Sequence, residues 1–75
     1  MTKAELVKQS IEWKIADCEK EIEELKHKIK VTVESDNTFE MASFLPQYSM
    51  KLQEVVAKYR ELHEQKKAIE FIIND

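Results

Sequence analysis

The sequence predicts an all-α protein: an antiparallel, coiled-coil-like hairpin of two long helices that dimerises into a four-helix bundle. Three observations carry this expectation. Glycine is absent, proline occurs once, and two apolar stripes recur at steps of three and four residues. Tight β-turns need residues at positive φ, usually glycine, so a chain without it has few ways to reverse a sheet. Apolar residues three and four apart line one face of a helix.

The first helix is expected over about residues 2–34. Its stripe runs Val7, Ile11, Ile15, Cys18, Ile22, Leu25, Ile29, and the residues between are mostly Glu and Lys, as a solvated back requires. Glu24 has Lys20 and Lys28 at i±4, where each pair contributes a few tenths of a kcal/mol at most.

The turn is expected at residues 35–37. Ser35-Asp36-Asn37-Thr38 is turn chemistry, and Asn37 followed by Glu40 forms a capping box that opens a second helix. Ile29, Val31 and Val33 alternate with polar residues, so a short β-hairpin over 29–34 and 39–44 is the competing reading. A lone two-stranded hairpin is marginal in water, which favours the helix.

The second helix is expected over about 38–73, on the stripe Met41, Leu45, Tyr48, Leu52, Val55, Tyr59, Leu62, Lys66, Ile69, Ile73. Lys66 is its one charged occupant, read as snorkelling to water near the open end. Pro46 removes a backbone donor inside the stripe, so a kink or break is expected there. Folding at Asp36 levels Ile22 with Tyr48 and Leu52, Cys18 with Leu52 and Val55, and Ile11 with Tyr59 and Leu62. The predicted seam is thus Ile11, Ile15, Cys18, Ile22, Leu25, Leu52, Val55, Tyr59, Leu62 and Ile69. It leaves Ile69 to Ile73 near or beyond the start of the first helix.

Seventy-five residues make one small domain, for which a single core is marginal without disulfides, metal or a partner. Cys18 is the only cysteine, so no internal disulfide forms. Extra burial must then come from self-association or another protein. The expected contact residues are Leu6, Trp13, Phe71 and Ile72, large apolar side chains off the seam toward the open end. The function expected is that of a small, non-catalytic interaction module, an adaptor, regulator or inhibitor working through helix faces, with a homodimer expected.

Other classes have less support. Net charge is −3 and Arg60 is the only arginine, whereas nucleic-acid binders concentrate basic residues. The alternative function, nucleic-acid binding, would use Lys26, Lys28 and Lys30 as a basic edge near the turn. No apolar run approaches the ~20 residues of a membrane span. A free cysteine and an amino terminus without an apolar signal core suggest the cytoplasm. Phosphate-cradling loops need glycine, and no C-x-x-C or H-x-x-x-H spacing supports a metal site among Cys18, His27 and His63. Glu19, Glu21, Glu23 and Glu24 crowd a solvated helix back, and Ser10, Ser43 and Ser49 have no evident base beside them. No catalytic residue, metal or cofactor is expected.

Ser49-Met50-Lys51-Leu52-Gln53, followed by Tyr59, loosely resembles the Ser-x-x-Leu-Asp motif of the small helical-hairpin aspartyl-phosphate phosphatases of sporulation control. Gln53 stands where that family has its catalytic aspartate. The resemblance therefore carries over neither activity nor site residues, and it assigns no family.

Overall fold

A computed structural model describes residues 2–74 as two helices, α1 (Lys3–Glu34) and α2 (Thr38–Asn74), packed side by side as an all-α hairpin. Each start is capped as its sequence requires. Thr2, in extended backbone, accepts from the Glu5 amide at 3.2 Å, and Asn37 Oδ1 accepts from the Glu40 amide at 3.1 Å. At the end of α1, the Ser35 amide donates to the Val31 carbonyl and the Ser35 hydroxyl to the Thr32 carbonyl. Ser35 is itself extended, and no described residue adopts positive φ. The chain thus reverses without glycine because the turn is built from caps and extended residues.

The strand alternative for residues 29–34 and 39–44 is not what forms. Both segments are helical, and the Thr32 hydroxyl donates back to the Lys28 carbonyl at 2.8 Å. A helix satisfies its backbone groups locally, whereas two short strands would leave both outer edges unpaired. α2 also runs through Pro46 without a break. Pro46 and Ala42 are both exposed, so the carbonyl that loses its donor lies on the watered side of the helix.

Ile11, Ile15, Cys18 and Leu25 of α1 and Val55 and Leu62 of α2 are buried. Ile22, Tyr48, Leu52, Tyr59 and Ile69 are half-buried against them. This is one narrow seam, since each helix has a single neighbour.

Polar contacts across the seam fix its register. Glu19 meets Tyr59, Glu12 meets Lys66 and Lys8 meets Glu70. Each contact falls about one heptad further along α2 than the turn position implies. Side chains lean toward their own helix N-terminus, and in an antiparallel pair those leans run in opposite directions. Contacting residues are therefore offset from level Cα positions. The Glu21–Lys51 pair, 3.9 Å apart, keeps the level counted from the turn. The overhang expected for Ile69 to Ile73 is corrected accordingly: Ile69 packs on the core, Ile73 is half-buried, and Glu70 reaches Lys8.

Candidate interaction surfaces

The off-seam apolar residues stand clear of the core. Trp13 is 79% exposed and Phe71 is 73% exposed, and Leu6 and Ile72 are also open to solvent. Leu6 and Trp13 line a shallow groove on α1 with Gln9, Ser10, Lys14 and Asp17. No α2 residue lines that groove. Trp13 lies two residues from the buried Ile11 and Ile15, and Phe71 two from Ile69, so each is turned about 200° from the seam. The four residues share the open end of the hairpin but lie on more than one face.

A second exposed apolar set lies toward the turn. Phe39 is 79% and Met50 65% exposed, and Val31, Val33 and Phe44 are also open. Neither Phe39 nor Met50 lies on a heptad stripe, so periodicity does not single them out. A readable signal was present: residues 41–50 contain no charge in a chain that is 36% charged. Phe44 stacks on Tyr48 with ring centroids 6.0 Å apart, and Lys28 Nζ lies 5.9 Å from the Tyr48 ring centroid.

The flanks of the seam are polar. Lys66 Nζ lies 3.8 Å from both Glu12 and Glu70, and Lys8 joins Glu70 at 3.7 Å and Glu12 at 4.0 Å. Lys66 therefore occupies its seam position with its ammonium held between two carboxylates. The Tyr59 hydroxyl donates to Glu19 Oε1 at 3.3 Å, and its ring meets His63 edge-on at 4.5 Å. Partial desolvation, then the Glu19 charge, raises the Tyr59 phenol above its usual 10.0.

Among the described residues, no three His, Cys, Asp or Glu side chains converge as metal ligands. Cys18 is in the core, His63 is against Tyr59, and His27 lines an outer groove of α1 with Glu23, Glu24 and Lys28. Lys26, Lys28 and Lys30 are exposed near the turn, but Lys26 lies 3.6 Å from Glu23 and Lys28 sits over Tyr48. Much of that basic edge is thus already engaged. No described helix is long and apolar enough to cross a membrane. No protein-family model matches the chain, and no curated protein or solved structure matches it.

Proposed function

We propose that this chain is a small, non-catalytic protein–protein interaction module that works through its helix faces and self-associates as a four-helix bundle. The supporting observation is the exposure of Trp13 and Phe71, which with Leu6 and Ile72 offer apolar contact points on the outer faces of both helices at the open end. Large aromatic side chains are costly to leave in water and are enriched at contact surfaces. The partner contacts α1 at Leu6 and Trp13 and α2 at Phe71 and Ile72, and regulates by occupying or bridging surfaces rather than by chemistry. The cytoplasm suits the free Cys18 thiol.

Photo-crosslinking side chains placed at position 13 and position 71 in the full chain test this reading. Covalent capture of a discrete protein, or of a second copy, at both positions supports it. Capture at neither overturns it. Nucleic-acid binding at Lys26, Lys28 and Lys30 is the weaker reading, because Glu23 and Tyr48 already engage two of those lysines. A steep loss of duplex affinity with added salt would favour it instead.

A further inference from the structure

The outward face of α2 between Phe39 and Ala57 has no place in the seam or at the open end. Phe39, Pro46, Met50 and Ala57 follow one another at steps of seven, four and seven, so they share one side of the helix, and all four are exposed. Ala42, Ser43 and Gln53 border them, and Glu54 is the only charge at the rim of this stretch.

We propose that this face is the self-association surface, and that its occupant is the same face of a second copy in antiparallel, two-fold packing. This rests on the reading that the chain self-associates; it assigns that contact to a surface separate from Leu6, Trp13, Phe71 and Ile72, and because the face lies opposite the seam it sets the four helices side by side in one layer in place of a bundle with a shared core.

Area argues first. The hairpin exposes 5954 Å² for 8.9 kDa. A compact monomer of that mass exposes about 4,800 Å². The surplus is roughly 1,100 Å², more than the ~800 Å² each partner of a standard interface buries. That surplus belongs to the elongated hairpin as a whole, and a second copy would cover part of it on each chain.

Pattern argues next. An isologous contact must be complementary to itself. With the two-fold axis at the level of Tyr48, Phe39 of each copy lies over Ala57 of the other, a large side chain opposite a small one. Pro46 then lies against Met50, and Ser43 falls on the same flank and near the same level as Glu54 of the other copy, where the hydroxyl can donate to the carboxylate. On the flank, Glu40 of one copy falls on the same side and near the same level as Lys58 of the other, twice by symmetry. The outer face of α1, by contrast, carries Lys20 and Glu24 in its middle.

Sedimentation equilibrium on the full chain tests the proposal with Met50→Glu, Ala57→Glu and the pair Trp13→Ser/Phe71→Ser. All four positions are exposed, and helix content by circular dichroism confirms that each variant is folded. The expected result is a wild-type dimer, at least tenfold weaker association in Met50→Glu and in Ala57→Glu, and an unchanged dimer in the Trp13/Phe71 variant. Glu40→Lys should weaken the dimer, and Glu40→Lys with Lys58→Glu should restore it. A wild-type chain that stays monomeric overturns the proposal and leaves the open-end reading to its crosslinking test. A dimer lost only in the Trp13/Phe71 variant also overturns it, and assigns self-association to the open end. A dimer indifferent to every substitution overturns the proposal as well.

Discussion

Tyr59 on α2 donates its phenolic hydrogen to Glu19 on α1 at 3.3 Å, across 40 residues of sequence. The bond ties the two helices beside the buried seam, and it requires the neutral phenol. Folding favours that protonated form, and the folded value is raised above 10.0. The unfolded chain therefore loses this proton first as pH rises. Stability from this group is complete below about pH 10 and is lost as pH climbs through the raised folded value. Thermal unfolding of wild type and Tyr59→Phe should diverge in slope above pH 10, with Tyr59→Phe falling less steeply. Ultraviolet titration should show Tyr59 ionising above 10.0.

The seam and the outer faces should respond oppositely to truncation. Leu62→Ala empties a buried position in a core of few members and should cost about 2–5 kcal/mol. That range is large for a hairpin of this size and should leave the chain substantially unfolded at room temperature. Trp13→Ser at an exposed position should change monomer stability by under about 0.5 kcal/mol. Urea unfolding at low protein concentration, followed by circular dichroism, separates the two.

Asn37 accepts from the Glu40 amide at 3.1 Å and so satisfies a free donor at the start of α2. Asn37→Ala should cost about 1 kcal/mol. Its signature should be earlier hydrogen exchange in the first turn of α2, with the Val55–Leu62 region changing only in proportion to global stability.

Pro46 sits inside α2 without interrupting it. Pro46→Ala returns the missing donor to the Ala42 carbonyl and should raise stability by roughly 2 kcal/mol, the helix gain being partly offset by a freer unfolded chain. A rise in melting temperature at micromolar concentration checks this. A fall would mean that the proline ring contributes packing that outweighs the lost bond.

Lys66 holds a seam position through Glu12 and Glu70. Exposed ion pairs contribute about 0–1 kcal/mol and weaken with salt. Lys66→Leu should leave stability at low salt within about 1 kcal/mol of wild type and reduce its salt dependence, Lys8 still pairing with both carboxylates. Urea titrations at low and at molar sodium chloride measure both.

The heptad steps from Ile11 to Ile29 and from Met41 to Ile73 made the helices and their inward faces legible, because 3.6 residues per turn leaves few other ways to bury such stripes. The candidate surface was legible only in part. Trp13 and Phe71 stand out as aromatics off the stripe. Phe39 and Met50 do not, because an isolated apolar residue near a turn reads equally as an end cap or as filler. Only their exposure in the folded hairpin shows that nothing covers them.

Sequence by itself determined the helical class, the cap at Asn37, and the membership of the seam. Each of those follows from local backbone chemistry or from periodicity within one helix. Tertiary structure alone decided the offset that brings Glu19 to Tyr59 and Lys8 to Glu70, the continuity of α2 through Pro46, and the separation of Trp13 and Phe71 onto different outer faces. These depend on how two helices lean and pack against each other, and a linear pattern records the faces of each helix without recording where its neighbour stands.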